Sequence, residues 1–375
     1  MTGSGIYVHL PYCGSRCGYC AFVVSTDRST AGAYWNALDR EMELVGPEAS
    51  GAYFDSLYLG GGTPSLTPEA ELRHLLDGLR RSFAVSPGAE VTLEANPEDV
   101  TAVSAQAWAS AGVNRVSVGV QSFEDRELSA VGRRHDSAGA SGALETLAGR
   151  GFSLSGDPIL GLPEQTAASF RRSVARLGGS GVEHVSVYLL EAEKSRTMEE
   201  DRRLHPERYL SDDEQADAWL EMGESLSAAG FRHYEISNWA REGRQARHNV
   251  KYWRRTPTLG LGVSAHELWA GRRRANVSGL ERYIGELESG RRPVARDQAL
   301  GADEERREAI VLGLRLSEGV ASGRFGEAVR EFGDAALGAD SEAWLEAGLL
   351  EEAGGRIRFT ERGFLLSNEI LCRFV

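Results

Sequence analysis

The sequence predicts an α/β fold, a parallel sheet wrapped by helices, followed by a smaller helical module that resembles a winged helix. Three observations predict it. The first two hundred residues repeat a short β-rich run, a turn and a helical stretch. Strands alternating with helices of roughly 10–15 residues make βαβ units with right-handed crossovers, which leaves either a doubly wound sheet or an incomplete barrel. The most unusual residues fall just after strands, where both architectures collect functional groups. From about Asp303 the rhythm changes to helix, helix, helix, strand.

Taken in order, the first candidate strand, residues 6–9, runs into His9-Leu-Pro11 and a cysteine-rich loop. The run 56–59 leads into Gly60-Gly-Gly-Thr-Pro64, 90–94 into Glu94-Ala-Asn-Pro97, and 115–120 into Gln121. Runs 154–160 and 184–190 complete six. Amphipathic segments at 34–44, 69–83, 103–111 and 137–149 lie between them, with helical spacing of their apolar residues. A seventh β-like run, 234–237, leads into a connecting region of lower regularity reaching residue 293. Helices at 304–316, 324–332 and 341–347, then a hairpin strand at 355–360, make the terminal module. The expected division is therefore 1–237, 238–300 and 301–375.

Composition narrows the function. A chain of 375 residues with 41% apolar side chains fits a soluble protein with a large core. The net charge of −13 argues against a general nucleic-acid binder. Residues 301–375 carry 9 basic against 15 acidic side chains, a net of −6, so the winged-helix order is read as a covering or docking module. No apolar run reaches the roughly 18 residues of a membrane span, and the N-terminus lacks the charged and apolar regions of an export signal. The expected compartment is the cytoplasm.

Three of the four cysteines fall within eight residues, as Cys13-Gly-Ser-Arg-Cys17-Gly-Tyr-Cys20, while Cys372 stands alone. Such spacing suits a metal site in a reducing compartment better than a disulfide framework. Close spacing lets three thiolates converge on one face of an iron–sulfur cluster, with Gly14 and Gly18 easing the wrap. Three ligands leave one iron open. A structural zinc site with His9 as fourth ligand is the competing reading. The run resembles the cluster loop of radical S-adenosylmethionine (SAM) proteins, whose [4Fe–4S] cluster takes SAM at its open iron.

Downstream residues suit SAM. Gly60–Gly62 permit close backbone approach to a ligand. Glu94 and Asp157, in or ending strands, suit ribose hydroxyls and an ammonium group, as acidic residues do in dinucleotide folds. Gln121 and Arg133 suit ribose and the SAM carboxylate. Each alone is more readily a solvated loop residue or a cap, and their joint placement after successive strands shifts the balance.

The whole chain resembles the HemN/HemW branch of radical SAM proteins. The matching segments are Tyr7-Val-His-Leu-Pro-Tyr-Cys13, Leu59-Gly-Gly-Gly-Thr-Pro-Ser65, Glu94-Ala-Asn-Pro-Glu98 and Asn114-Arg-Val-Ser-Val-Gly-Val-Gln-Ser-Phe123. Further matches are Arg133-Arg-His135, Gly161-Leu-Pro-Glu-Gln-Thr166, Tyr234-Glu-Ile-Ser-Asn238, His248-Asn-Val-Lys-Tyr-Trp253 and the C-terminal Gly354–Gly363 and Leu366–Asn368 stretches. The resemblance implies an incomplete (β/α)6 barrel with a winged-helix-like C-terminal domain. It also implies Cys13, Cys17 and Cys20 as cluster ligands. Tyr7, Tyr19, Gly61, Gly62, Thr63, Glu94, Gln121, Arg133 and Asp157 match its SAM positions. In such proteins the reduced cluster cleaves SAM to methionine and a 5′-deoxyadenosyl radical.

Within the branch, coproporphyrinogen III dehydrogenases carry a fourth cysteine two residues after the third, and a long N-terminal extension. Here Phe22 holds that position, and Cys13 lies close to Met1. Both departures point to the haem-chaperone side, with haem as cargo, acceptor haemoproteins and an electron donor as partners, and no nucleic acid. Peripheral membrane association stays open. The alternative is an oxygen-independent coproporphyrinogen III oxidase. His248-Asn-Val-Lys-Tyr-Trp253 matches the family's haem-linked motif: His248 is a competent axial ligand, and Tyr252 and Trp253 offer aromatic faces. Arg241, Arg244, Arg247, Lys251, Arg254 and Arg255 surround it with charge for propionates. A solvated basic loop with an aromatic anchor is the competing reading, and Arg272-Arg-Arg274 reads as a solvated turn. Three positions depart from the family's habit: Ala21, Pro158 after Asp157, and Glu267 after His266.

Overall fold

The computed structural model describes residues 3–332 and 335–374. Six parallel strands lie side by side in chain order: β1 (Ser4–Leu10), β2 (Tyr53–Gly61), β3 (Ala84–Ala95), β4 (Arg115–Gln121), β5 (Ser153–Leu160) and β6 (His184–Ser186). Their crossovers carry α1 (Ala31–Val45), α2 (Glu69–Ser82), α3 (Ala102–Ala111), α4 (Asp125–Ala130) with α5 (Ser137–Leu147), and α6 (Ala167–Gly179). Alternation along each strand sorts side chains between two faces. In β4, Val116, Val118 and Val120 are buried in the main core, each contributing roughly 1.5–3 kcal/mol by burial. Ser117, Gly119 and Gln121 alternate with them and line a cavity on the other face.

The sixth β run splits into β6 and β7 (Tyr188–Leu189), because the Val187 amide leaves the ladder to donate to Ser237 O at 2.8 Å. After α7 (Arg196–Leu204) and α8 (Asp212–Ala228), the hairpin of β8 (Arg232–Glu235) and β9 (Asn238–Ala240) ends this side of the sheet, β9 running antiparallel to β6. α8 starts on a capping box, Ser211 accepting from the Glu214 amide while Glu214 accepts from the Ser211 amide.

The stretch 238–293, expected to be of lower regularity, is ordered. It forms α9 (Arg247–Trp253), then β10 (Thr258–Leu261) parallel to β1, then β11 (His266–Trp269) and β12 (Arg272–Asn276). α10 (Leu280–Glu288) and β13 (Val294–Ala299) finish an antiparallel extension. Arg272, Arg273 and Arg274 are therefore strand residues, held to Asp297, Glu308 and Glu267. The sheet runs β13-β12-β11-β10-β1-β2-β3-β4-β5-β6-β9-β8 and does not close, the incomplete barrel that the resemblance implies.

Beyond it, α11 (Ala302–Leu314), β14 (Val320–Ala321), α12 (Ser322–Phe332), α13 (Ala335–Glu346), β15 (Leu350–Ala353) and β16 (Arg356–Phe359) have winged-helix order, closed by α14 (Glu361–Leu365) and α15 (Ser367–Leu371). This module has its own core, including Leu314, Phe325, Leu350, Phe359 and Phe374. It docks through a bridge between Glu235 and Leu316, and through the Arg315 guanidinium, which sits 5.4 Å from the Trp253 ring centroid.

Candidate functional site

The C-terminal ends of β2 to β5 and the cysteine loop enclose a cavity of about 670 Å³. Cys13, Cys17 and Cys20 all line it, and all three are free thiols. The loop is fixed by its backbone: the Cys13 amide donates to Ser25 O at 2.9 Å, and the Gly18 amide to Val131 O at 3.2 Å. Two donors aim at sulfur, Thr63 Oγ1 at Cys13 Sγ (3.3 Å) and Arg133 Nη1 at Cys17 Sγ (3.6 Å). Burial pushes the Cys13 and Cys20 thiols up, so their thiolates depend on a positive partner such as iron. His9 is not offered as a fourth ligand. Its Nε2 pairs with Val23 O at 2.9 Å and its Nδ1 with the Tyr7 hydroxyl at 3.0 Å. The zinc alternative thus lacks the ligand it needs.

The glycines at the end of β2 also serve a contact within the protein. The Gly62 amide donates to Leu10 O (2.8 Å) and the Thr63 amide to Tyr12 O (2.9 Å), so this turn zips onto the end of β1. Gly61 has φ +115°, and a Cβ there would lie 2.6 Å from the His9 ring; one on Gly62 would meet Pro11 backbone at 2.7 Å. Close approach is needed to the protein's own strand leading into the cysteine loop as well.

Opposite the cysteines lies a polar wall. Glu94 accepts from the Tyr58 hydroxyl (2.8 Å) and the Gly61 amide (3.1 Å), and burial raises its pKa to about 7. Asp157 sits between Ser117 Oγ and Ser155 Oγ, each 2.8 Å away, and burial raises its pKa as well. Behind it, Ser155 meets His184 Nδ1 and His184 Nε2 meets the Tyr234 hydroxyl, both at 2.8 Å. Pro158 leaves Asp157 in the strand. The ladder between β4 and β5 shifts just before Gln121 pairs with Pro158, and Gln121 adopts φ 59° there. Arg133 donates to Asn96 Oδ1 (2.8 Å) and Gly119 O (2.9 Å), while its buried Nε has no partner among the described residues. An unpaired donor beside three thiols and two carboxyls fits an anionic cluster and a zwitterionic ligand.

Of the residues expected at SAM, the structure gathers Tyr19, Gly61, Gly62, Thr63, Glu94, Gln121, Arg133 and Asp157 around this cavity. Tyr7 is not in its lining; its hydroxyl holds His9. Tyr58, Asn96, Ser117 and Tyr188 also line it and were not singled out from sequence, although Ser117 as a polar residue inside an apolar strand was a readable signal.

The haem-linked motif is placed elsewhere. α9 plugs the sheet at the N-terminal ends of β1 and β2, where a Cβ on Gly5 would lie 2.9 Å from the His248 ring. His248 is 0% exposed, with Nδ1 on Ser56 Oγ and Nε2 on the Tyr252 hydroxyl, both at 2.9 Å. Burial, then Lys251, lower its pKa to about 3. In this arrangement both ring nitrogens of the expected axial ligand are paired, Nε2 with the part-exposed Tyr252. The Trp253 ring lies against the Arg315 guanidinium. All six surrounding cations are engaged, Arg244 by Glu183, Arg247 by Glu90, Lys251 by Asp55, Arg254 by Glu318, Arg255 by Glu308, and Arg241 by Ala229 O and the Phe231 ring.

Residues 7–177 match the radical SAM superfamily and residues 300–366 the HemN C-terminal domain. The heme chaperone HemW of Mycobacterium tuberculosis is 36% identical over 372 residues, 98% of this chain and 93% of that protein. The heme chaperone HemW of Bacillus subtilis is 31% identical over 375 residues, 98% of each. In structure, coproporphyrinogen III oxidase (HemN) from Escherichia coli, described as a radical SAM enzyme, aligns with a TM-score of 0.85 at 24% identity. That alignment covers 100% of this chain and 90% of the other, and it shows a shared fold.

Proposed function

The chain belongs to the HemN/HemW branch of the radical SAM superfamily, and from that footing we propose that it is a haem carrier of the HemW type, which binds a [4Fe–4S] cluster and SAM and passes haem to acceptor haemoproteins. Cys13, Cys17 and Cys20 hold the cluster, leaving one iron for SAM. When reduced by an electron donor, the cluster supplies the electron for SAM chemistry. Glu94 and Asp157 take the ammonium and ribose hydroxyls, Gln121 adds a ribose contact, and Arg133 pairs with the carboxylate while shielding Cys17. Tyr19, Gly61, Gly62 and Thr63 hold that pocket's shape. In this reading residues 1–237 form the SAM unit, 238–300 a connecting unit, and 301–375 a docking module, and the protein works in the cytoplasm. Among the described residues no helix is long and apolar enough to cross a membrane.

One observation carries the choice of carrier over decarboxylase. Phe22 stands 67% exposed on the rim of the cysteine cavity, where the dehydrogenase side of the branch has its fourth cysteine. The two relatives named heme chaperone support the same side. The test is anaerobic: the reconstituted protein is given ferric haem in one arm, and SAM, reductant and coproporphyrinogen III in the other. A shifted Soret band with no protoporphyrinogen supports the carrier. Product formation, or no Soret change, rejects it.

A further inference from the structure

The polar wall of the cysteine cavity continues inward from Asp157 until it reaches α9. Ser155 and His184 pair in register on β5 and β6, which sets their side chains on one face. Ser155 Oγ contacts Asp157 Oδ1 and His184 Nδ1, and His184 Nε2 meets the Tyr234 hydroxyl, each at 2.8 Å. The Tyr234 oxygen then accepts from the Ala246 amide at 3.3 Å. Ala246 is the N-cap of α9. Ser155, His184, Tyr234 and Ala246 are all buried. Glu94 also faces α9, through Tyr58, but only ring packing, 5.3 Å between centroids, joins Tyr58 to His248.

Each link has a fixed sense. A backbone amide only donates, so Tyr234 accepts at the α9 end. An ionised Asp157 only accepts, so Ser155 gives it its one hydrogen and must accept from His184 Nδ1–H. Burial, then Arg115, hold the His184 pKa far below its ordinary value, so the ring is neutral and carries one proton. Its Nε2 is then an acceptor for the Tyr234 hydroxyl. With Asp157 ionised, every donor from Ala246 to Ser155 points toward the carboxylate, and each has a partner. With Asp157 protonated and donating to Ser155, the senses reverse. Ser155 donates to Nδ1, the one ring proton sits on Nε2, and the Tyr234 hydrogen has no acceptor among the described residues. The two tautomers of His184 are therefore two states of one buried element, whose ends lie at the cavity and at α9. Ligand donors at Asp157 favour its ionised form, and with it the fully bonded state.

We propose that His184 and Tyr234 carry the occupancy of the SAM pocket to the first turn of α9, so that SAM binding firms the helix bearing His248-Asn-Val-Lys-Tyr-Trp253. The inference rests on the reading that SAM lies against Asp157 and deepens it: the ligand on one end of the barrel sets how tightly the haem-linked helix is held at the other.

The test follows deuterium exchange over residues 246–253 by mass spectrometry, anaerobically, in the full, cluster-reconstituted chain with and without saturating SAM. In the wild type, SAM is expected to slow exchange there by at least about fivefold. Tyr234→Phe keeps the ring and every contact of Asp157 but lacks the relaying oxygen. It should bind SAM within about twofold of the wild type by equilibrium dialysis, with the slowing lost. His184→Asn sets an amide where Nδ1 stood, which holds Ser155 and cannot reach Tyr234, so it should lose the slowing as well. A merely structural role for Tyr234 would quicken exchange equally with and without SAM and leave the difference in place. A SAM-dependent difference that survives in either variant, or loss of SAM binding by Tyr234→Phe, overturns the relay. A wild type that binds SAM without slowing overturns it too and leaves the haem-carrier reading intact. A wild type that binds no SAM overturns both.

Discussion

Arg133 is the residue on which most of the cysteine cavity turns. It reaches Cys17, Tyr19, Asn96 and Gly119 at once, and keeps one buried nitrogen free. Such a fork orients ligands rather than binding iron, and outer-shell losses of this kind typically cost about 10–100-fold in affinity. Arg133→Gln should therefore weaken SAM binding by that factor, read by equilibrium dialysis, while iron content per chain stays at the wild-type level. Loss of iron instead would make Arg133 a scaffold of the cysteine loop. Gly61 poses the complementary case, since its demand is steric. With φ +115° and the His9 ring 2.6 Å from any added Cβ, Gly61→Ala must distort both β2 and β1, the strand that leads into the cysteine loop. A loss of about 2–3 kcal/mol in urea denaturation is expected; a change under about 0.5 kcal/mol would mean the turn relaxes freely.

At the scale of elements, the antiparallel extension is pinned to the barrel by one carboxyl. Glu41 on α1 is fully buried and accepts from the Gly262 amide (2.7 Å), Asn276 Nδ2 (2.6 Å) and the Tyr283 hydroxyl (2.6 Å). It thereby joins α1 to the turn after β10, the end of β12 and α10. Glu41→Ala strands three buried donors, each costing about 1–3 kcal/mol. A loss of at least about 3 kcal/mol should follow in urea denaturation, and a smaller loss would mean that water replaces the carboxyl. Nothing about Glu41 was legible in the sequence, because its partners lie more than 200 residues away. The same reason hid the order of 238–293. Its strands β10, β11 and β12 span four or five residues each, and β12 reads Arg-Arg-Arg-Ala-Asn, polar because its arginines meet acids on neighbouring elements. By contrast, β1 to β5 carry apolar alternation in their own residues, and the cysteine spacing needs no partner to be read. His248 shows the converse: its motif is readable in the sequence, whereas its burial against Gly5 is disclosed only by the packing of α9 on β1.

For the whole molecule, buried titratable groups set how stability varies with pH. Burial raises Glu41 and Glu94 to about 7 and Glu235 to about 8, from an ordinary value of 4.5. Between 4.5 and 8 the folded chain keeps protons that the unfolded chain has released, so stability falls as pH rises through that window. His248 works in the opposite sense. Unfolded, it takes a proton near 6.5; folded, only near 3, so stability falls as pH drops from 6.5 toward 3. Above 6.5 the carboxyls act unopposed by this histidine, and below 4.5 the histidine acts unopposed by them. The maximum therefore lies between pH 4.5 and 6.5, on the acid side of neutrality. Glu235 gives the decisive variant, because it sits at the bridge to the C-terminal module and outside the cysteine cavity. Glu235→Gln has no proton to release, so its urea midpoint should decline less steeply than the wild type's from pH 6.5 to 8.5. A wild-type maximum above pH 7, or an equally steep decline in the variant, would show that these carboxyls ionise in the folded chain as they do in water.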